Sequence, residues 1–406
     1  MGVCLTCDSS IEPFMSFGRM PIANGFLLEE DFADEFFFEL QVGVCRRCFM
    51  VQLTRVVDPG KLFHGSYAYF SSISVRMAEH FRRFAEEVQR VHLTSEDPFV
   101  VEIGSNDGIM LQHFASRRLR HVGIEPSTNV AQAAMLKGVN TTCRFFDEAT
   151  AADIVGQYGL ADVILGANVV CHLPEIRSVM RGVEVLLKKQ GFFIFEEPYL
   201  GDVVEKVSYD QIYDEHVFYF TASSLRNLLA QYDMEIVDVV PQNVHGGSMR
   251  YITARRGVAQ PSEAVAERFA QEAALGLTQE ETFMRFRERV LKSRDDLTSL
   301  LNRLRQEGKR VVGYGATSKS TTVTNFCGIG PDLLEYISDT SPTKQGKYSP
   351  GAHIPVVPYE RFRARYPDYA LLFAWNHAEE VIPKEEAFRA SGGKFILYVP
   401  TVGVMA

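Results

Sequence analysis

The sequence predicts an α/β protein of three parts: a small cysteine-bearing β module, then two doubly wound units built on parallel sheets. Three observations predict this. Strand-like and helix-like segments alternate between residues 98 and 198, and again between residues 309 and 400. Two Cys-x-x-Cys pairs, Cys4/Cys7 and Cys45/Cys48, fall in a stretch without a long helical period. A charged stretch of helical period, residues 258 to 308, lies between the alternating units. At 406 residues the chain exceeds what one core organises, and the boundaries fall at residues 1–75, 76–257 and 258–406.

The elements follow in order. The first unit holds the loop GRMPIANGF and the alternating segment FFFELQVGVC, a β-rich pattern. A helical period near residues 76 to 92 leads into the strand PFVVEIG. The segments DGIMLQHFASR, NVAQAAMLKG and EIRSVMRGVEVLLKK read as helices between the strands HVGIEP, TTCRFF, ADVILGAN and GFFIFEEP. MEIVDVVPQ and MRYITARR read as an antiparallel edge of the same sheet. The last unit alternates through KRVVGYGATSKSTT, LLEYISDT, HIPVVP, YALLFAWN and KFILYVP.

Composition narrows the function. Hydrophobic residues at 46% and charged residues at 23% are ordinary for a globular protein. A net charge of −9 argues against nucleic acid as a partner, because a phosphate-backbone binder presents a basic face. No run approaches the roughly 18 apolar residues of a membrane span. The start MGVCLTCDSS lacks the basic and apolar regions of a secretory signal, so a cytoplasmic location is expected. Seven cysteines, an odd number, fit a reducing compartment and a metal site better than a disulfide framework.

Cys4, Cys7, Cys45 and Cys48 have the ligand set of a tetrahedral zinc site. Two knuckles close the shell and leave no open position, so the expected role of Zn2+ is structural. Arg46 and Arg47, inside the second knuckle, are expected to lower the thiol pKa values. Cys143, Cys171 and Cys327 read as plain buried cysteines.

The strand VVEIG ends in the turn Glu102-x-Gly104-x-Asn106-x-Gly108. Glycine there lets the backbone approach a ligand. The spacing departs from the G-x-G-x-x-G of dinucleotide sites and suits an adenosyl cofactor without a pyrophosphate. Glu125 ends the next strand, where a carboxylate accepts from ribose hydroxyls. Asn168 ends the fourth strand, followed by Cys171 and His172.

The motifs E-x-G-x-N-D-G, G-x-E-P, A-N-x-x-C-H, E-x-P-Y-L-G-D and Y-D-E-H-x-x-x-F follow the cysteine quartet. With the C-terminal G-Y-G-A-T-x-K-S and L-F-A-W-N-H, the chain resembles, over nearly its whole length, the sugar C-methyltransferases of deoxysugar biosynthesis. The resemblance implies two Rossmann-like domains behind a zinc-binding module, the first using S-adenosyl-L-methionine. It implies that Gly104, Asn106, Gly108, Glu125, Asn168 and His172 line that cofactor, with Glu102 in the same motif. It implies a TDP-linked 4-keto-deoxysugar as substrate, methylated at C3.

Carbon methylation beside a ketone needs a base for the α-proton and a donor for the enolate oxygen. Histidine, with an ordinary pKa of ~6.5, suits the first task. A tyrosine hydroxyl suits the second, at roughly 3 kcal/mol when well placed. By resemblance, His216 is the base, Tyr213 the oxyanion donor and Glu215 the residue that orients or tunes His216. Tyr67 is a further active-site tyrosine, ahead of its neighbour Tyr69, and His245 contacts substrate.

In the last unit, the glycine turn Tyr314-Gly315-Ala316-Thr317-Ser318-Lys319 opens a helix suited to a diphosphate. Asp339 ends the following strand, where a dinucleotide ribose partner would stand. Read alone, this leaves open an NAD-dependent nucleotide-sugar oxidoreductase or epimerase, or a purely structural domain. The resemblance implies that the domain holds the nucleotide of the sugar, with Asn376 and His377 completing the pocket. One chain supplies every part, so a monomer is expected.

Overall fold

The computed structural model describes residues 2–63 and 70–405. The N-terminal sheet runs in the order Gly2–Val3, Ser10–Pro21, Phe37–Val44, Val51–Leu53 and Phe218–Tyr219, each strand antiparallel to the next. Its fifth strand comes from the middle of the chain. The β module is therefore completed by the unit that follows it, and the boundary at residue 75 does not separate two independent bodies.

The central sheet has seven strands: Met234–Gln242, Ser248–Arg255, Leu187–Pro198, Ala161–Ala167, Phe99–Ile103, Arg120–Ile124 and Thr141–Thr142. Every residue of Phe99–Ile103 is buried, as expected of a parallel strand covered on both faces. Ser248–Arg255 is antiparallel to both neighbours, so the outermost strand runs parallel with the rest. The expected antiparallel edge is thus one strand inserted second from the edge. The helix expected through Lys189 stops at Leu186, because Leu187–Pro198 is one long strand. Helix Val75–Val91 buries Met77, Phe81, Phe84, Ala85 and Val88, one helical stripe, and Ser74 caps it by accepting from the Met77 N–H at 3.3 Å.

The stretch read as a connector is packed core. Helix Glu280–Gln306 buries Phe283, Phe286, Val290, Leu297 and Leu301. Phe283 meets Phe14 of the β module at 5.0 Å, and the same core continues to Val311 of the last unit. In helix Glu263–Leu275, the buried Glu272 carboxylate accepts from the Ala222 and Ser223 N–H groups at 2.6 and 2.9 Å, fixing the start of helix Ala222–Leu229. The C-terminal sheet runs Val356–Pro358, Ile337–Asp339, Val311–Tyr314, Tyr369–Leu372, Lys394–Leu397 and Gly403–Met405, parallel except for the last strand. Among the described residues no helix is long and apolar enough to cross a membrane.

Candidate active site

In an open parallel sheet, ligands bind beyond the carboxyl ends of the strands, where the strand order reverses. That point lies between Phe99–Ile103 and Ala161–Ala167. A cavity of about 310 Å3 opens there, bounded by all three units. Asn24 and Phe63 come from the β module; Gly104, Asn106, Glu125, Asn168, His172, Tyr213, Glu215 and His245 come from the central unit. Thr317, Ser318, Lys319, Lys344, Asn376 and His377 come from the C-terminal unit.

Gly104 turns with φ +64°, and an added Cβ would stand 2.4 Å from Val169 Cγ2. Only glycine brings the first strand end this close to the fourth. The Glu125 carboxylate accepts from the Asn106 and Ser127 N–H groups at 3.1 and 2.8 Å, leaving lone pairs toward the cavity. Burial raises its pKa, offset by these hydrogen bonds. Two buried atoms of this wall, Asn168 Oδ1 and His172 Nε2, have no protein partner. Orphaned polar atoms around a glycine turn and a strand-end glutamate fit an adenosyl cofactor. Burial pushes His172 down to about 3, so its ring is neutral.

Two residues expected to line the cofactor lie outside the cavity wall. Gly108 (φ +76°) lies off the cavity wall, where its missing Cβ lets the turn pack against Val139 and Ala134. Glu102 is inside its strand, hydrogen-bonded to the Leu111 backbone, and burial, then Asp107 and Glu125, raise its pKa well above the carboxylate range. Its carboxyl is buried beneath the turn.

The segment expected to be catalytic follows the 3-10 turn Tyr209–Gln211. Tyr213 Oη and His216 Nε2 are 2.8 Å apart, and His216 Nδ1 lies 2.8 Å from the Gln211 carbonyl. A carbonyl only accepts, so Nδ1 carries the proton and Nε2 accepts from Tyr213. Burial, reinforced by the nearby His172, holds the His216 pKa well below its ordinary value. Burial raises Tyr213 well above its own, keeping it a phenol. Tyr213 lines the cavity, and His216 stands one side chain behind it.

Glu215 is expected from the sequence to orient or tune His216; the two ring nitrogens are held by Gln211 and Tyr213. Glu215 Oε1 instead accepts from Asn24 Nδ2 at 2.6 Å, and Asp214 Oδ1 from the Ala23 N–H at 3.0 Å. The Ala23 carbonyl accepts from Thr321 at 2.8 Å, so the loop GRMPIANGF touches both α/β units at the cavity. Tyr67 and Tyr69 lie outside the described residues.

On the C-terminal side, Thr317 caps helix Ser318–Phe326 by accepting from the Ser320 N–H at 3.2 Å, and the helix start faces the cavity. Lys344 Nζ donates to the Ala316 carbonyl at 2.7 Å. Tyr314 and Gly315, expected in the substrate pocket, are not in its wall. The Tyr314 hydroxyl donates to Glu385 at 2.8 Å within an aromatic core, and Gly315 makes the turn, its N–H on the Ser338 carbonyl at 2.8 Å. Asp339 is also outside the wall, its carboxylate accepting from the Ala316 N–H at 2.7 Å. The oxidoreductase alternative relied on Gly315 and Asp339 and finds no support.

Asn24, Arg144 and Lys344 line the cavity without having been picked out in the sequence. Asn24 sits in a visible turn motif, but nothing local points from it to Glu215, 191 residues away.

The four cysteine sulfurs lie within 4.8 Å of one another, with Cys4–Cys48 and Cys7–Cys45 each at 3.5 Å. Zn–S bonds of about 2.3 Å on a tetrahedron place sulfurs roughly 3.8 Å apart, so the quartet fits Zn2+. Arg46, expected to act on the thiols, instead pairs with Glu280 at 2.7 Å in an exposed bridge.

Comparison with known proteins adds to this geometry. A methyltransferase domain matches residues 77–239, a domain described as zinc-binding matches residues 4–63, and a C-methyltransferase C-terminal domain matches residues 243–400. The C-methyltransferase NovU of Streptomyces niveus is 37% identical over 395 residues, 97% of this chain and 94% of that protein. Among solved structures, an S-adenosylmethionine-dependent methyltransferase from Anabaena variabilis matches at 19% identity and TM-score 0.35, over 43% of this chain and 84% of its own. Magnesium protoporphyrin IX methyltransferase from Synechocystis, with bound SAH, matches at 14% identity and TM-score 0.34, over 44% of this chain and 83% of its own.

Proposed function

This chain belongs to the C-methyltransferase family, and from that premise we propose that its acceptor is a TDP-linked 4-keto-deoxysugar, methylated at ring carbon C3 beside the ketone. The enzyme is S-adenosylmethionine-dependent and carries a zinc-binding domain at its N-terminus. One observation carries the proposal: the strand ends Gly104, Glu125 and Asn168, Tyr213 and a cationic helix start share a single cavity, and His216 backs Tyr213 at 2.8 Å.

The roles follow from position. Glu125 accepts from the ribose hydroxyls, and Asn168 and His172 meet the polar edges of the cofactor. Bound there, S-adenosylmethionine supplies an electrophilic methyl group on its sulfonium. Thr317, Ser318 and Lys319 take the diphosphate at the helix N-terminus, with Lys344, Asn376 and His377 beside them. The sugar ring then lies between that wall and Tyr213, against His245 and Glu215.

His216 is neutral, so its Nε2 lone pair is available to take a proton. In the free enzyme that lone pair holds the Tyr213 O–H. Turning the hydroxyl toward the ketone oxygen does two things together: it frees Nε2 for the C3 proton and aims a donor at the enolate oxygen as its charge develops. The C3–H electron pair passes into the enolate and the proton rests on His216; C3 would then bond to the methyl carbon as the carbon–sulfur bond of the sulfonium breaks, its electron pair staying on sulfur and S-adenosylhomocysteine leaving. Tyr67 is kept as a further active-site tyrosine on the resemblance alone.

We place the enzyme in the cytoplasm, where its zinc thiolates stay reduced, and expect a monomer, since one chain builds the whole cavity. The test is mass spectrometry of TDP-4-keto-deoxysugars incubated with enzyme and S-adenosylmethionine. A gain of one methylene in the sugar supports the proposal. Methyl transfer only to non-nucleotide acceptors would overturn it.

A further inference from the structure

The turn that holds His216 is gripped by the C-terminal unit at several points. Asp210, within the turn and fully buried, accepts through Oδ2 from Trp375 Nε1 at 2.6 Å and from the Tyr398 hydroxyl at 2.6 Å. Two positions further on, the Ile212 carbonyl accepts from Thr322 of helix Ser318–Phe326 at 3.1 Å. Gln211 lies between these anchors. Its carbonyl fixes His216 Nδ1, and its amide donates to the His245 carbonyl. Trp375 also packs on the next residue, Gly246, where an added Cβ would come 2.4 Å from its ring.

The gripping residues adjoin the proposed nucleotide wall. Trp375 begins the 3-10 turn Trp375–His377, whose Asn376 and His377 line the cavity. Thr322 belongs to the helix whose start faces it. Asp210 Oδ1 is buried without a partner, and Asp210 and Lys319, a third cavity residue, each favour the other's charged form against the burial that opposes it. Nothing in the Tyr213–His216 chemistry itself requires a buried carboxylate here, yet it receives two short hydrogen bonds from the other unit.

We propose that Asp210 is a positioning residue: held by Trp375 and Tyr398, it couples occupancy of the nucleotide wall to the placement of His216. The coupling acts through the Gln211 carbonyl. When Asn376, His377 and the helix start close on a diphosphate, Trp375 and Thr322 carry the 209–212 turn with them, and the His216 imidazole is set behind Tyr213 in register with the ring. A sugar without its nucleotide leaves the turn less firmly set. The proposal rests on the reading that this wall takes a nucleoside diphosphate.

The test uses the full-length zinc-bound enzyme and thymidine diphosphate as probe. Backbone hydrogen exchange of residues 208–216 is measured with and without the probe in the natural protein, in Trp375→Phe and in Tyr398→Phe. Each change removes one donor to Asp210 while keeping a ring in place. Calorimetry gives the probe's affinity in each protein, and SAH binding confirms folding. In the natural protein the probe should slow exchange by about tenfold, the size of one charged hydrogen bond. In both variants the slowing should shrink to about twofold or less, with probe affinity within about threefold. Equal slowing in all three proteins overturns the coupling and leaves the nucleotide reading standing. A natural protein that does not bind the probe overturns the nucleotide reading, and the coupling with it.

Discussion

Replacing Gly104 with alanine tests the cofactor turn at its tightest point. The residue has φ +64°, a left-handed conformation costing about 1–2 kcal/mol with a side chain. The new Cβ would stand 2.4 Å from Val169 Cγ2 and 2.8 Å from Val169 Cβ. Val169 cannot simply retreat, because Glu197 Oε1 accepts from the Val169 and Val170 N–H groups at 3.1 and 2.7 Å. Overpacking of this kind adds about 1–3 kcal/mol, for a total of about 2–5 kcal/mol. The displaced atoms adjoin Asn168 and the 3-10 turn Val170–His172. If about 2 kcal/mol appears at the cofactor, SAH binds about 30-fold more weakly by calorimetry. Adding Val169→Ala removes the Cγ2 contact at 2.4 Å but keeps the Cβ contact at 2.8 Å, so it should recover only part of the overpacking share, and Val169→Gly should recover the rest. Unchanged SAH affinity and melting temperature in Gly104→Ala would refute this account of the turn.

Other expectations concern the remaining parts of the molecule. Cys45→Ser should abolish stoichiometric zinc by metal analysis and lower Tm by about 5 °C or more, since the metal-bearing sheet also pairs Val51–Leu53 with Phe218–Tyr219; retained zinc would count against the quartet. Tyr213→Phe should lower kcat by about 10²–10³ while SAH affinity holds, and an unchanged kcat would remove the hydroxyl from the oxyanion role. Burial pushes Glu197 up to about 7 from 4.5. A carboxyl raised on folding contributes stability that is fully present below its unfolded value and lost as pH rises through its folded one. Melting temperature should therefore decline between about pH 4.5 and about pH 7 more steeply in the natural protein than in Glu197→Gln, and identical slopes would refute the assignment.

The parts legible in the sequence are those whose chemistry is local. The two cysteine knuckles, the Gly104 turn, Glu125 and Asn168 each follow a recognisable strand end or spacing; the fold brings the four sulfurs together at one point and the other three to the cavity. Less could be read where a contact spans the chain. Asn24 reaches Glu215, and Trp375 reaches Asp210, through tertiary packing that leaves no short-range pattern. The two-residue strand Phe218–Tyr219 is too short to show a period, so its crossing into the first sheet was hidden. Tyr314 was misplaced for a related reason: a tyrosine in a glycine turn can face a ligand or a core acceptor, and Glu385, 71 residues later, decides for the core. Glu215 next to His216 looked like its partner, but consecutive residues here point to different neighbours.

The central claim is that His216 takes the proton from the sugar carbon that is then methylated. The most direct measurement is deuterium uptake at C3 of a TDP-4-keto-deoxysugar in heavy water, with SAH in place of the methyl donor. The natural enzyme should exchange that position, and His216→Ala should slow exchange by about 10² or more while still binding SAH. Exchange at the natural rate in His216→Ala would contradict the claim.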